Sequence, residues 1–459
     1  MASTDEFDVV ILGGGSGGYA CAFRAAELGL SVALVERDKL GGTCLHRGCI
    51  PTKALLHAAE VADSAREGER YGVRTSLEGI DMAGVNKYKD GIVSRLYKGL
   101  QGLAAAHKVT LVEGEGRLVA ADTVQVGEQQ LKGKNVVLAT GSYARSLPGL
   151  DVGGRILTSD QALTLDFVPK SVIVLGGGVI GVEFASVWKS FGADVTIIEA
   201  LPRLVAAEDE AVSKVLERAY RKRKIAFSTG VRFTGATQDD EGVHVTLENG
   251  KTYDAELLLV AVGRGPTSAG LGYDEVGVTL DRGYIPTDER LRTNVPGVFA
   301  VGDLVPGLQL AHRGFAHGIF VAEEIAGLNP APVVDSGIPR VTYCDPEIAS
   351  VGLTEAQAKE TYGADRIESF EYNLGGNGKS QILGTAGFVK TIRVTDGPVV
   401  GIVAVGNRMG EQVGEASLIV NWEAYPEEVA QLLHAHPTQN ESLGEAHMAL
   451  AGKPLHVHA

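Results

Sequence analysis

Hydrophobic positions open the chain as one short run, Phe7–Leu12, which is apolar except at Asp8 and is followed by a cluster of glycines. An apolar run of this length is typical of a strand that is buried on both faces of a sheet. A helix is predicted from about Tyr19 to Leu28, and a second apolar run then ends at Glu36. The pattern therefore predicts a strand, a crossover helix and a second parallel strand, which together form a βαβ unit.

The same pattern returns 163 residues later. The apolar run SVIVL leads into GGGVIG, a helix is predicted through Trp188, and the strand DVTIIE ends at Glu199. Each copy is later followed by a short apolar strand that closes on glycine, VVLATGS at 136–142 and LLLVAVGR at 257–264. This internal repeat predicts two domains of the same architecture.

Both repeats carry glycines at the spacing of a dinucleotide-binding turn. Such glycines allow a tight turn and the close approach of a pyrophosphate to a helix N-terminus, while an acid at the end of the second strand binds ribose hydroxyls. Each acid, Glu36 and Glu199, lies eighteen residues after the last glycine of its repeat. Two such units predict two dinucleotides, on the glycines Gly13, Gly15 and Gly18 and on Gly176, Gly178 and Gly181.

The remaining sequence predicts a completed first domain and a different last one. The segment TNVPGVFAVGD places Asp303 at a strand end, and a helix follows it. From about Ile338, strands at 387–394 and 399–405 alternate with helices at 354–360 and 410–420. We therefore predict an α/β protein with two Rossmann-like domains and a C-terminal α+β domain. The predicted boundaries are 1–149, 150–270 for the second dinucleotide domain, 271–337 completing the first, and 338–459.

Composition and charge narrow the function classes. The chain has 459 residues and a formal net charge of −15, which argues against nucleic acid and anionic membrane surfaces as partners. No apolar run approaches the ~20 residues of a membrane span, and the first residues lack a signal core, so a cytoplasmic location is expected. Cys21 and Cys344 stand alone and are expected to be buried, and the histidines near the end match no zinc spacing.

The stretch GGTCLHRGCIPTK at 41–53 is the strongest candidate for chemistry. Cys44 and Cys49 are followed by Pro51, which suits the first turn of a helix. The positive end of that helix would stabilise a thiolate on Cys49. The alternatives are a structural disulfide or two buried thiols, but closing so short a ring stabilises a fold only weakly. The pair is thus a candidate for cycling between disulfide and dithiol.

These motifs together resemble a known family. GGTCLHRGCIPTKALL, the two glycine turns, ATGS, AVGR, VFAVGD and HAHPTQNE occur in the order found in the flavoprotein pyridine nucleotide–disulfide oxidoreductases. Within that family the chain most resembles the members that oxidise dihydrolipoamide. The resemblance implies FAD on the first repeat, NAD on the second, and a homodimer formed by the last domain. Lipoyl domains of 2-oxo-acid dehydrogenase or glycine-cleavage complexes would be the partners.

The resemblance also implies the roles of the residues in the redox centre. Cys44 would be the interchange thiol and Cys49 the thiol that faces the flavin. His436 would be the base, oriented by Glu441, since thiol–disulfide exchange needs a thiolate. The family also implies an ion pair beside the flavin between Lys53 and Glu183; taken alone, these residues would be a solvated helix lysine and an acid favoured by a helix N-terminus.

Further cofactor contacts are carried over on the same basis. Asp303 would accept hydrogen bonds from hydroxyls of FAD, and the remaining matched positions are Gly116, Gly141, Gly263 and Ala311. His46 and Arg47 depart from the family pattern between the cysteines and are expected to shift the potential or the thiol pKa values. The basic run at 218–224 is expected to be the solvated face of a helix.

Glu199 predicts a preference for NAD, because an acid at that strand end binds the 2′-hydroxyl and repels the 2′-phosphate of NADP. Arg203 nearby is the residue that could favour NADP, whereas Val179 fits the lipoamide enzymes. The alternative function is an NADPH-dependent reductase of a small disulfide such as glutathione or mycothione. A mercuric-ion reductase would need a second cysteine pair near the C-terminus, and a non-catalytic scaffold would not need the cysteines and the base.

Overall fold

A computed structural model describes residues 4–457. Its first segment carries the amino-terminal βαβ unit and a following meander. The strands are β1 Thr4–Leu12, β2 Val32–Glu36, β3 Thr110–Glu113, β4 Gly116–Ala120, β5 Thr123–Val126, β6 Gln129–Leu138 and β7 Ser142–Ala144. The helices are α1 Ser16–Glu27, α2 Gly42–Arg47, α3 Cys49–Glu67 and α4 Met82–Ala106.

The second and third segments follow. The strands are β8 Ile156–Thr158, β9 Ser171–Leu175, β10 Asp194–Ile198, β11 Ala226–Ser228, β12 Phe233–Gln238, β13 Val243–Leu247, β14 Thr252–Ala255, β15 Leu257–Val260, β16 Arg264–Pro266 and β17 Val298–Ala300. The helices are α5 Ser159–Ala162, α6 Val179–Phe191, α7 Glu210–Lys222 and α8 Ala311–Ile325.

The last segment alternates strands and helices. The strands are β18 Arg340–Thr342, β19 Glu347–Gly352, β20 Ile367–Asn373, β21 Phe388–Val394 and β22 Val399–Gly406. The helices are α9 Glu355–Tyr362, α10 Gly378–Leu383, α11 Met409–Asn421, α12 Pro426–Val429 and α13 Glu441–Leu450. Short 3₁₀ turns lie at Gly68–Tyr71, Gly302–Leu304, Asp335–Gly337, Ala364–Arg366 and Leu374–Gly376.

The first sheet has the strand order β3-β2-β1-β6-β5-β4, and β17 pairs with β6. Strands β1, β2, β3, β6 and β17 are parallel, whereas β4, β5 and β6 form an antiparallel meander. Val298 lies opposite Val136, so the segment after the second repeat returns to the first sheet. Strand β1 lies between β2 and β6, and the direction in which successive parallel strands are added to the sheet changes at β1. At such a switch point, open parallel sheets bind ligands beyond their strand carboxyl ends.

The second sheet repeats this arrangement in the order β11-β10-β9-β15-β8, all parallel. An antiparallel sheet β12-β13-β14 lies beside it, and β7 pairs with β16 where the chain passes between the two domains. The last domain is an antiparallel sheet in the order β18-β19-β22-β21-β20. Its core includes Val351 and Ile402 from the sheet, Met409 from α11 and Leu443 from α13. The predicted fold class is confirmed.

Candidate active site

The two glycine turns have the same geometry. Gly13 and Gly176 adopt φ of +107° and +115°, and each packs against the carbonyl group of a neighbouring strand end, Ala139 or Ala261. A Cβ on Gly18 would lie 1.8 Å from the carbonyl oxygen of Gly13, so only glycine lets this helix approach the strand so closely.

The middle glycine of each turn faces open space instead. Nothing lies within 4 Å of a Cβ built on Gly15 or on Gly178. Each also precedes a helix, because Gly15 is the N-cap of α1 and Gly178 the N-cap of α6. Open space next to the free N–H groups of a helix N-terminus is suited to binding a pyrophosphate. The residues present therefore fit one dinucleotide at each turn.

Both strand-end carboxylates are fixed by backbone donors. Glu36 accepts hydrogen bonds from the N–H groups of Gly14 at 2.7 Å and Asp38 at 2.9 Å. Glu199 accepts in the same way from Gly177 at 2.6 Å and Leu201 at 2.7 Å. A carboxylate has about four acceptor positions, so each retains capacity for ribose hydroxyls.

Arg203, the residue that could have favoured NADP, is engaged elsewhere. Its guanidinium donates to the Ser213 hydroxyl at 2.6 Å and to the carbonyl oxygens of Ala206 and Glu208, both at 2.8 Å. The donors that would bind a 2′-phosphate are therefore used within the chain's own loop.

The two cysteines lie on consecutive helices. Cys44 is inside α2, and Cys49 begins α3, so Pro51 lies in the first turn of that helix, as expected. Both are free thiols and partly buried. A hydrogen bond from Cys44 lowers the pKa of Cys49 to about 7; burial opposes this shift, and the charge of Lys53 adds to it. The same hydrogen bond raises the pKa of Cys44. Of the two sulfurs, Cys49 therefore carries the thiolate near neutral pH.

Lys53 and Glu183 form an ion pair beside the cysteines. The ammonium of Lys53 on α3 donates to both carboxylate oxygens of Glu183 on α6, at 2.9 and 2.8 Å. Glu183 is only 2% exposed. Burial acts to lower the pKa of Lys53, but the charge and hydrogen bonds of Glu183 raise it overall. The ion pair therefore holds the Lys53 ammonium as a fixed cation next to Cys49.

His436 and Glu441 form the predicted dyad in the last domain. His436 Nδ1 lies 2.7 Å from Glu441 Oε1, and the Thr438 N–H donates to Glu441 Oε2 at 2.8 Å. Burial raises the pKa of Glu441, but these two hydrogen bonds lower it overall, so the carboxylate stays ionised. The His436 side chain is 76% exposed. Among residues 4–457, no hydrogen bond or ion pair joins this dyad to Cys44 or Cys49.

The other predicted cofactor residues surround the first sheet's strand ends. Asp303, in the 3₁₀ turn after β17, accepts a hydrogen bond from Ser142, whose hydroxyl in turn accepts from Arg264 at 2.8 Å. Gly141 and Gly263 have positive φ and open space around them, and Ala311 begins α8. Gly116 differs, because a Cβ there would lie 2.4 Å from Leu12 Cδ1. Close packing in the core already requires glycine at that position.

His46 and Arg47 both point to the loop after β2. His46 Nε2 lies 2.9 Å from the Leu40 carbonyl oxygen, and Arg47 forms an ion pair with Asp38. Both contacts tie α2 to the loop that follows Glu36. The effect of these two residues on the potential stays a prediction.

One expectation about charge was partly wrong. In the basic run at 218–224, Arg218, Arg221, Lys222 and Lys224 are exposed as expected. Arg223 is not solvated; it pairs with Asp63 at 3.3 Å and Asp345 at 3.2 Å, which lie in the first and last domains. These partners are distant in sequence, so local pattern could not reveal them.

Sequence reasoning also missed Tyr343. Its N–H donates to Glu183 and its ring lies under the Lys53 ammonium. No local signal distinguishes this tyrosine from an ordinary surface aromatic residue. The neighbouring Cys344 and the distant Cys21 are buried, as expected. Within residues 4–457, no helix combines the length and the apolar character needed to cross a membrane.

Comparison with known proteins agrees with this geometry. Residues 7–318 match the model of the pyridine nucleotide-disulphide oxidoreductases, and residues 338–447 match the dimerisation domain of the same proteins. A dihydrolipoyl dehydrogenase of Bacillus subtilis is 40% identical over 98% of this chain and 99% of its own length. One from Geobacillus stearothermophilus is 38% identical over 98% of each chain.

Solved structures give the same result. LpdA from Mycobacterium tuberculosis superposes with a TM-score of 0.90 at 26% identity, over 96% of this chain and 99% of its own. The flavoprotein disulfide reductase RclA from Escherichia coli gives 0.88 at 25% identity, over 97% and 100%. The chain therefore belongs to the pyridine nucleotide-disulphide oxidoreductase family, and its cofactors are FAD and NAD.

Proposed function

We propose that this chain is an NAD-linked enzyme that oxidises protein-bound dihydrolipoamide to lipoamide through Cys44 and Cys49. The observation that carries the proposal is the geometry around Cys49, which begins α3 beside Cys44 and the Lys53–Glu183 ion pair; the hydrogen bond from Cys44 and the charge of Lys53 both lower its pKa. A pair in which one sulfur is a stable thiolate suits both release of a leaving group and electron donation. The relatives named dihydrolipoyl dehydrogenase support this substrate class.

The exchange chemistry follows from the residues. His436 accepts the proton of one substrate thiol, and Glu441 holds the imidazole and stabilises its charged form. The resulting thiolate attacks Cys44 Sγ, breaking the Cys44–Cys49 bond, and Cys49 leaves as a thiolate beside Lys53 and the N-terminus of α3. The second substrate sulfur then attacks the first substrate sulfur and breaks its bond to Cys44, and its proton passes to Cys44, which leaves as a thiol. This releases cyclic lipoamide and leaves Cys44 and Cys49 holding the two electrons.

FAD held at the first glycine turn would supply an acceptor for this electron pair and a hydride donor for NAD⁺. The chain's part is to hold the two dinucleotides at Gly15 and Gly178, to fix their riboses through Glu36 and Glu199, and to keep the Lys53 cation beside the reacting sulfur. Asp303 is the proposed acceptor for hydroxyls of FAD.

Partners and location complete the proposal. The dimerisation domain at 338–447 supports a homodimer. Lipoyl domains of 2-oxo-acid dehydrogenase or glycine-cleavage complexes are the proposed substrates, because their dithiol arm matches a two-sulfur site. The cytoplasm is the proposed location, because a cysteine pair that cycles between disulfide and dithiol suits a reducing compartment.

The alternative is an NADPH-dependent reductase of a small disulfide. It would need a cation free to bind a 2′-phosphate, and Arg203 is bonded to its own loop while Glu199 occupies the strand end. Both observations favour NAD.

The test measures NADH formed from dihydrolipoamide and NAD⁺ by the FAD-loaded protein. We expect turnover in the wild type and its loss in Cys44→Ser and Cys49→Ser, with Cys21→Ala, which removes a buried thiol outside the site, as an active control. Partial reduction should also produce long-wavelength absorbance from the thiolate and flavin, which Cys49→Ser abolishes and Cys44→Ser keeps. The reverse pattern would exchange the roles of the sulfurs, and turnover only with NADPH and a small disulfide would favour the alternative.

A further inference from the structure

Tyr343 lies directly against the ion pair of the redox centre. The Lys53 ammonium is 4.8 Å from the centroid of the Tyr343 ring, a separation within the range of a cation–π contact. The Tyr343 N–H donates to Glu183 Oε1 at 2.9 Å. Tyr343, which directly follows β18, therefore contacts both Lys53 and Glu183, and these two residues belong to two other domains.

The ammonium has three donor hydrogens, and the two carboxylate oxygens of Glu183 accept at 2.8 and 2.9 Å. The Tyr343 ring makes a second, separate contact with the same ammonium and supplies the negative face of its quadrupole. Without the ring, the Lys53 ammonium would lose this second contact and would be free to move toward solvent. Contact with both the Glu183 carboxylate and the Tyr343 ring limits the positions that the ammonium can take.

The ring itself is held by α11. A Cβ built on Gly410 would lie 3.3 Å from Tyr343 Cε1, so the helix leaves room for the ring and little more. The charged groups that face Lys53 are Glu183 and Cys49, and those that face Tyr343 from its other neighbours are Glu347 and Glu411. Of the charged groups just named, Lys53 is the cation that lies against this ring, and Glu183 and the ring both contact it beside Cys49.

We propose that Tyr343 is a positioning residue of the redox centre, whose aromatic ring holds the Lys53 ammonium where it stabilises the Cys49 thiolate. The inference rests on the proposed function for the role of that thiolate. The ring carries the effect and the hydroxyl does not, because the contact with Lys53 is made by the ring face.

The test compares Tyr343→Phe with Tyr343→Leu in the FAD-loaded holoenzyme. Leucine retains the backbone N–H to Glu183 but removes the ring, whereas phenylalanine retains the ring and removes only the hydroxyl. In each reduced protein, the long-wavelength thiolate absorbance is titrated against pH. We expect Tyr343→Leu to raise the titration midpoint by about half a pH unit, the scale of one cation–π contact, and Tyr343→Phe to leave it unchanged.

A second measurement does not depend on the flavin band. The rate of alkylation of Cys49 by iodoacetamide is followed against pH, and trypsin cleavage after Arg47 separates the peptides of the two cysteines. The midpoint should shift as in the optical titration. In a Lys53→Met background, replacing Tyr343 by leucine should have no further effect, because the cation that the ring holds is gone.

The outcomes separate this inference from the proposed function. An unchanged midpoint in Tyr343→Leu, with bound FAD equal to wild type, overturns the role of Tyr343 and leaves the proposed function standing. A shift in Tyr343→Phe as large as in Tyr343→Leu also overturns it, since the hydroxyl would then be the acting group. Absence of the optical band in the wild type contradicts the proposed function, and the alkylation rates still decide the role of Tyr343.

Discussion

At the scale of single residues, the proposed preference for NAD over NADP depends on Glu199 and Arg203. Glu199 is held by the N–H groups of Gly177 and Leu201, so its charge is already oriented before a ligand arrives. A ribose 2′-hydroxyl can donate to this carboxylate, whereas a 2′-phosphate would place like charges together. Arg203 cannot offset the repulsion, because its donors are bonded to Ser213 and to loop carbonyls.

We therefore expect kcat/KM for NAD⁺ to exceed that for NADP⁺ by at least ~100-fold, the scale of one unpaired buried polar contact. Glu199→Ala should narrow the ratio by lowering kcat/KM for NAD⁺. Arg203→Ala is the matched control and should leave the ratio unchanged, because its guanidinium faces its own loop. Comparable steady-state values for the two nucleotides in the wild type would contradict this account.

Two kinds of residue could be predicted: those whose chemistry follows from spacing along the chain, and those, such as the Lys53–Glu183 pair, that match positions of the resembling family. Gly13 and Gly18, the acids Glu36 and Glu199, and the cysteine pair each belong to a pattern within one short segment. Tyr343 could not be found in this way, since its contacts with Lys53 and Glu183 cross three domains. Arg223 was assigned wrongly for the same reason.

At the scale of elements, a buried group of charges joins the second domain to the last sheet. Lys390 on β21 donates to Asp209, the N-cap of α7, at 3.1 Å and pairs with Glu355 of α9 at 2.9 Å. Beside it, Glu208 accepts from Ser350 on β19 at 2.7 Å. Asp209 and Lys390 are buried, so each needs the other to offset the cost of leaving water.

Lys390→Met should lower the free energy of unfolding of the last domain by about 3 kcal/mol, because it leaves a buried carboxylate without a cation. Lys359→Ala is the control: Lys359 also pairs with Glu355, at 2.6 Å, but across an exposed helix turn, and its loss should cost less than about 0.5 kcal/mol. Urea unfolding followed by fluorescence measures both. Equal effects of the two substitutions would show that burial adds nothing to this pair.

The same group of charges makes the free energy of unfolding depend on pH in the acid range. Burial acts to raise the pKa of Glu355, but hydrogen bonds from Lys359 and Lys390 lower it from 4.5 to about 2 overall. A carboxyl whose pKa is depressed in the folded state stabilises above its unfolded pKa and loses that contribution as the pH falls. The difference between wild type and Lys390→Met should therefore shrink between about pH 4.5 and 2. A constant difference across that window would contradict the assignment.

Boundaries of elements were harder to predict than their existence. Helix α3 begins at Cys49, ahead of Pro51, so the thiol itself occupies the first turn. Strands β3, β4 and β5 and the long helix α4 were not predicted, because their apolar positions are sparse. The repeated βαβ units were predicted because their long buried strands give a strong local signal.

At the scale of the whole molecule, the proposed redox centre is a junction of three domains, and the proposed base lies apart from it. Lys53, Glu183 and Tyr343 come from the first, second and last domains and contact one another. His436 is on the last domain with its ring 76% exposed, and within residues 4–457 it makes no hydrogen bond to the cysteines. A base that is exposed on a dimerisation domain is suited to act on the other chain.

We therefore expect each active site to combine the cysteines of one chain with His436 of the other. A Cys44→Ser chain is mixed in equal amount with a His436→Ala chain, and the dimers are dissociated and reassociated. Each homodimer has two defective sites, whereas a heterodimer has one site with both defects and one with none. Random mixing makes half of the dimers heterodimeric, so about a quarter of wild-type activity should return. With exchange verified by native mass spectrometry, activity that stays at the level of the separate variants would show that each site is built within one chain.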